Sequence, residues 1–555
     1  VSLMNSKTLY AAVLAAALGA SATVAQAPTL LNNFNTRNWS DSYSGSSRAW
    51  AQIGTKGFIT FTTKAHGNEL WTYDINPANP TPLAWMTENL FPGNHTHVGN
   101  PRDQITFNNE VYFTAWDVVY GRELYKTDGT VTGTVLVADI IPGNPQGGPY
   151  DSSAPLNFFI YQGVLFFTYD DAGYGTYGLG TWLWKTDGTT VGTVPVDPTN
   201  TTVTIGSQIE YLSTSGALFF ATAGPAVGGP WSPAPPTSLY ALTLGTPDSI
   251  VAVDNTYGNI SYMCAIGANM YFSGEDQTPL ETVGVELYQS NGTTISLAYD
   301  IQPATDDDGY PRYITAYNGK LYFDARLNKS VHSTSGYVAW DNELYEWDPA
   351  TPGTIASVNI NSQPYTGYGY TYYVPAREGS SYPDDFVENN GLLFLQADDG
   401  GALYGNEMWT MTTAGLGSLA CLDINPGTSS GASSSPYPQI LNQFKIIFIA
   451  NDGTNGTELW ESDGSTTGTI MCADHNPTGN LSSIKLFGTM GGSNVLMRAN
   501  NYNGWGTELH HYVGTTTPGL AGTMTAAANV NDPTAFDYSG GFWNTLLGVA
   551  DLGNG

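Results

Sequence analysis

An all-β chain folded as a β-propeller of eight to nine blades is what this sequence predicts, on three observations. A phrase built on Glu-Leu-aromatic returns nine times in 555 residues, near residues 69, 123, 183, 239, 286, 343, 407, 458 and 508. The runs within each unit are four to seven residues long, rich in Val, Ile, Tyr, Phe and Trp, and bounded by Gly, Asn, Asp or Pro. No long amphipathic helix fits between them. Three or four strands per unit without helices describe a propeller, in which neighbouring blades bury each other's faces.

In chain order, residues 1–27 have the layout of a secretory signal peptide: Lys7, an apolar stretch from Leu9 to Leu18, then small residues up to Ala27. That stretch is too short to span a bilayer, so no membrane insertion of the mature chain is expected. Residues 28–555 then form one repeat domain. Within a unit, an apolar run ending in Phe comes first, as in Val111-Tyr112-Phe113 or Ile446-Ile447-Phe448. An Asp/Asn/Gly-rich loop and the Glu-Leu-aromatic run follow, as in Glu123-Leu124-Tyr125 and Glu458-Leu459-Trp460. A turn such as Asp128-Gly129-Thr130 leads to a fourth stretch, Thr134 to Ile140, with Gly where positive φ is needed. The aromatic after Glu-Leu, with Phe113 or Phe448, is expected to fill the gap between blades. The Glu is expected to lock the loop that precedes it by accepting backbone N–H groups. Trp182 and Ser238 replace it in the third and fourth units, and His510-His511 alter the ninth.

Thr29–Phe34 reads as a stray fourth strand and Gly540–Asp551 as an opening hairpin. Such ends close one ring or join a second subunit in a fibre.

The pattern Glu-Leu-Trp-x-x-Asp-Gly-Thr-x-x-Gly-Thr, followed by a Val/Leu strand, Asp-Ile and Pro-Gly, resembles the bacterial ELWxxDGT-repeat proteins, also described as hyalin-like. The match is closest over Glu123–Gly143 and Glu458–Asp474 and extends in weaker copies from Arg48 to Asn531. The resemblance implies a secreted or surface-attached β-propeller and carries no catalytic residues.

With 17 Lys and Arg against 48 Asp and Glu, the net charge is −31, which disfavours nucleic acid and anionic lipid as partners. Cys264, Cys421 and Cys472 are expected as buried free thiols, since equivalent strands of adjacent blades are too far apart for a disulfide. No cofactor is required by any motif. Calcium is the one candidate, on oxygen-rich loops at Asp306, Asp307, Asp308, Asp398, Asp399, Asn451 and Asp452, with Asp170-Asp171 beside them. The same residues also read as acidic turns. His95 and His97 lack a third ligand for zinc, and Gly427-Thr428-Ser429-Ser430-Gly431 lacks the helix that a nucleophile elbow needs. Acceptor sequons stand at Asn38, Asn94, Asn200, Asn259, Asn291, Asn328, Asn455 and Asn480, near the number that chance supplies. The insertion from Asn361 to Asp385 carries Tyr365, Tyr368, Tyr370, Tyr372, Tyr373 and Tyr382, stiff amphipathic rings suited to a glycan or a protein partner.

Two function classes follow. The first is a secreted, non-enzymatic adhesive or structural scaffold, the subunit of a fibre or matrix that self-associates or binds other surface proteins and glycans. The alternative is a glycan-binding or hydrolytic secreted propeller with its site at the central channel.

Overall fold

The computed structural model describes the strands from Trp50 to Ala528 with most of their short turns. Outside the described residues are 1–49, 529–555 and loops that include 75–83, 89–100, 141–154, 171–180, 197–204, 223–238, 277–282, 304–307, 332–337, 362–379, 427–435, 474–483 and 501–506.

Nine antiparallel sheets of four strands, each paired in chain order, make nine blades arranged in a ring. They span Trp50–Glu88, Arg102–Ala138, Leu156–Pro195, Ile205–Asp254, Tyr257–Tyr299, Arg312–Val358, Asp384–Leu422, Gln439–Ala473 and Lys485–Ala528. The three units with altered repeat sequences therefore form blades three, four and nine. Blade-to-blade contact runs mainly through successive first strands, which places those strands at the hub. The first strand of blade 1 meets that of blade 9, and Tyr73 meets His511 edge-on at 6.0 Å between ring centroids. Both end blades are complete in four strands, so the ring closes within one chain and needs no fragment from Thr29–Phe34 or Gly540–Asp551, which lie outside the described residues.

The period-two alternation of the second strand builds the core. Val111 and Phe113 face blade 1 and join Phe58 and Leu70, whereas Tyr112 faces blade 3 and joins Phe158 and Phe167. Likewise Ile446 and Phe448 face blade 7, and Ile447 faces blade 9. The Leu of the repeat phrase points forward and its aromatic backward: Leu124 packs on blade 3, and Tyr125 stacks on Phe113 at 6.0 Å. Each fully buried Leu or Phe contributes about 1.5–3 kcal/mol, so every blade depends on both neighbours.

The repeat Glu is a clamp, though not on the loop expected. Glu123, Glu343 and Glu407 accept the backbone N–H of Ile140, Ile360 and Ile424, each at 3.0 Å, and Glu286 accepts that of Ile301 at 2.7 Å. These amides belong to the crossover after the fourth strand rather than to the loop before the Glu, because the chain leaves one blade and enters the next beside the third strand. Glu286 also accepts Gly309 N at 2.6 Å, and Glu343 accepts Ser381 Oγ at 2.5 Å. The captured Ile side chains pack in the following interblade core.

The Asp-Gly-Thr turn ties itself together and reaches backward. Asp128 Oδ1 accepts Thr130 N at 2.9 Å, and Gly129 N donates to Thr127 Oγ1 at 3.0 Å. The turn glycines adopt φ of +88° to +93° and lie against the second strand of the preceding blade: Gly129 on Phe58, Gly292 on Phe219 and Gly464 on Leu392.

Gly464→Ala adds left-handed strain and a clash with Leu392, whereas Gly54→Ala, at φ +56° with open space around it, adds strain alone. The expected outcome is a loss of about 1 kcal/mol for Gly54→Ala and roughly twice that or more for Gly464→Ala, read from denaturant midpoints. Glu343→Ala leaves buried donors without an acceptor and is expected to cost about 1–3 kcal/mol. An unmoved midpoint would refute the clamp.

Candidate active site

Proline opens the first strand in five blades, at Pro101, Pro155, Pro311, Pro383 and Pro438. It suits that position because the first residue at a strand entry has no ladder bond to lose. Two residues on, Asp103, Asn157, Tyr313 and Asp385 have positive φ of 52° to 54°. Register with the second strand shifts there in each case, as between Arg102 and Ile105 or Asp384 and Val387. These are β-bulges, which break the in–out alternation and re-aim side chains at the hub.

On blades 5, 6 and 7 the bulges bring titratable groups together on successive first strands at the hub. Arg312 Nε donates to Asp324 Oδ2 at 2.8 Å, and its Nη2 reaches the same oxygen. Asn342 Nδ2 donates to Asp324 Oδ1 at 3.1 Å. Asp324 is fully buried on the second strand of blade 6. Burial pushes it up to about 6, against the pull of Arg312 and Asn342 toward the anion. The Arg312 guanidinium lies 5.8 Å from the Tyr313 ring centre, and Tyr313 meets Tyr262 of blade 5 at 5.2 Å.

Facing this group from blade 7 are Asp384 and Asp385. Burial, with the nearby negative charges of Asp385 and Asp324, lifts Asp384 to about 8. Its Oδ1 accepts Gln396 Nε2 at 3.3 Å. Burial lifts Asp385 only to about 6, and its Oδ2 is enclosed without a hydrogen-bond partner among the described residues. Burial thus favours the protonated form of both carboxyls, and of Asp384 the more strongly.

The sequence-derived candidates fall elsewhere or serve turns. Asp398 Oδ1 accepts Gly400 N at 2.7 Å, and Asp399 accepts Tyr404 N and Gly405 N at 2.9 and 2.7 Å. Asn451 accepts Gly453 N at 2.8 Å, and Asp452 accepts Thr454 N and Asn455 N at 2.9 and 2.7 Å. Asp308 accepts Val285 N at 2.8 Å. Among the described residues, no three His, Cys, Asp or Glu side chains gather as a metal site. Asp170 is on the second strand of blade 3. Asp306, Asp307, Asp171, His95, His97, Gly427–Gly431 and Tyr365, Tyr368, Tyr370, Tyr372 and Tyr373 lie outside the described residues, as do Asn38, Asn94, Asn200 and Asn480. Asn259 and Asn291 are exposed, Asn455 is half-buried, and Asn328 is on the second strand of blade 6. Cys264, Cys421 and Cys472 are free thiols as expected, but only Cys264 is buried, the other two being half-buried.

Asn361 and Ser380, at the two ends of the tyrosine-rich insertion, are joined by a 2.9 Å bond from Asn361 Nδ2 to Ser380 O. Asn361 is thus tied to a residue four positions before Asp384. Residue-type counting missed Arg312, Asp384 and Asp385. The Pro-x-x entry to the first strands was the signal that marks them.

No protein-family model matches this sequence, and no curated protein does. Among solved structures the chain is similar to tricorn protease, at 11% identity over 86% of this chain and 42% of that one, with a TM-score of 0.24. It is similar to a prolyl endopeptidase at 13% identity, over 74% and 54% of the two chains, TM-score 0.37. It is similar also to an oligogalacturonate lyase of Vibrio parahaemolyticus at 12% identity, over 72% and 94%, TM-score 0.33. The chain spans roughly half the length of the two peptidases. At these identities the likeness is one of fold. The expected non-enzymatic adhesive scaffold finds no support among them, since the matched propellers carry protease, endopeptidase and lyase names. The described ring closes within one chain, one of the two outcomes expected, while the ends expected to fasten it lie outside the described residues.

Asp384 titrates near 8 in the fold and near 3.9 when unfolded, so the native state binds its proton more tightly. Its favourable contribution is complete below about pH 4 and is lost as the pH climbs through about 8. Asp384→Asn removes this titration. Its stability relative to the parent is expected to increase between those limits and then level off; a flat difference in denaturant midpoints would count against the assignment.

Proposed function

We propose that this chain is a glycan hydrolase of the propeller type that works outside the cell, with its site at the channel mouth of blades 6 and 7. The observation that carries the reading is a pair of carboxyl groups on consecutive residues of the bulged first strand of blade 7, Asp384 and Asp385, set beside the Arg312–Asp324 pair of blade 6; burial raises both, Asp384 more than Asp385. Glycosidic cleavage needs one carboxylic acid to protonate the departing oxygen and one carboxylate to act on the other side of the bond. Asp384 gives its proton to the glycosidic oxygen as the bond to the anomeric carbon breaks. Asp385 takes a proton from the water whose oxygen bonds to that carbon. Arg312 keeps Asp324 anionic, and that charge in turn helps Asp384 keep its proton. The leader-like first residues support an extracellular setting.

The test is release of reducing ends from a panel of neutral and acidic polysaccharides. Wild-type protein is expected to cut at least one, with a rate that falls as the pH passes about 8. Asp384→Asn is expected to lower that rate by about a hundredfold or more. Equal rates for the two proteins, or no cleavage of any polysaccharide by folded wild type, would defeat the reading.

A further inference from the structure

We propose that Tyr310, Tyr382 and Tyr437 form an aromatic platform that carries a neutral polysaccharide chain across the mouths of blades 6, 7 and 8. This rests on the glycan reading above and specifies which substrate is held and where.

All three tyrosines immediately precede the proline that opens a first strand: Tyr310-Pro311, Tyr382-Pro383 and Tyr437-Pro438. In blades 6 and 7 their backbones are pinned alike. Tyr310 N donates to Val285 O at 2.9 Å and Tyr382 N to Asn342 O at 3.4 Å, in each case to the residue just before the repeat Glu of the preceding blade. The residue before each tyrosine is held by that Glu, Gly309 by Glu286 and Ser381 by Glu343. The same residue accepts from the blade's own second strand, Arg326 N to Gly309 O at 2.8 Å and Asp398 N to Ser381 O at 2.9 Å. Equivalent placement on consecutive blades separates the rings by roughly the 10 Å of stacked sheets, close to the length of a disaccharide.

The backbone is strained at two of the three tyrosines, of which Tyr310 is half-buried and Tyr382 exposed. Tyr310 and Tyr382 have φ of 43° and 46°, a left-handed conformation that a bulky side chain rarely adopts. Most aromatic side chains of the described strands are buried, yet Tyr382 is 57% and Tyr437 53% exposed. Tyr310 carries the Arg326 guanidinium 4.4 Å from its ring centre, which stiffens that end of the row. Tyr382 stands two residues before Asp384, so a chain lying on the row passes the proton donor at its middle ring. The net charge of −31 favours an uncharged polymer over an acidic one.

The experiment uses the full chain carrying Asp384→Asn, which binds without cutting, titrated calorimetrically with cello- and chito-oligosaccharides from dimer to hexamer and with oligogalacturonate. Affinity is expected to rise with length for a neutral series. Tyr382→Ala and Tyr437→Ala are each expected to weaken the hexamer roughly two- to tenfold, with Tyr437→Ala leaving the dimer unchanged and Tyr437→Phe restoring the parent value. Affinity independent of length, tighter binding of oligogalacturonate, no binding of either neutral series, or an inert Tyr437→Ala would overturn the platform. The outcomes separate the two ideas. Tyrosine-dependent binding with no cleavage by wild type keeps the platform and defeats the hydrolase; cleavage unaffected by the tyrosine variants does the reverse.

Discussion

Every feature of this molecule depends on apolar packing between blades. A four-stranded sheet whose second strand is apolar on both faces cannot be soluble alone, because alternate residues such as Tyr112 and Phe113 point to opposite neighbours. Burial is complete only when blade 1 meets blade 9, which the contact of Tyr73 with His511 records. The ring is therefore a condition of stability, and the hub it encloses is a consequence.

Polar groups hold that packing in register. The repeat Glu ties each third strand to the crossover entering the next blade, and the Asp-Gly-Thr turn presses back on the blade before. A third device recurs at the blade interfaces. Lys320 pairs with Glu346, to which Tyr322 donates at 2.9 Å, and a buried Lys445–Glu461 pair at 2.5 Å receives Tyr512 at 2.7 Å. In blade 2 the same positions hold Glu110 and Lys126, 3.0 Å apart, with the charges exchanged. The geometry tolerates either polarity because what it requires is neutralisation beside an apolar seam.

The channel mouth inherits its chemistry from these supports. Crossovers clamped by Glu286 and Glu343 deliver Tyr-Pro and then the bulged pair of residues to the hub. Blades 6 and 7 share the Pro entry and positive-φ bulge with blades 2 and 3 and differ from them there by side chain: Arg312 and Tyr313 on one, Asp384 and Asp385 on the other. A repeated entry can vary a site without disturbing the core.

Period, strand composition and turn residues are local properties, so the all-β class, the nine units and the role of Phe113 and Tyr125 as interblade filler were legible from the chain alone. The repeat Glu was legible as a structural acceptor, but not its partner, because Ile140 lies 17 residues downstream and is brought near only by the crossover. Acid-rich loops were read two ways, as calcium ligands or as acidic turns. Asp399 and Asp452 attract notice by composition, yet their oxygens accept amides of their own loops. Asp384 and Asp385 were unremarkable in sequence; the raised titration of Asp384 arises only because burial and the charge of Asp324, sixty residues earlier, act on it in the folded chain. Blade count and ring closure are likewise tertiary. A repeat states that its faces must be covered, and only the curvature of the assembled sheets decides that the ninth blade meets the first.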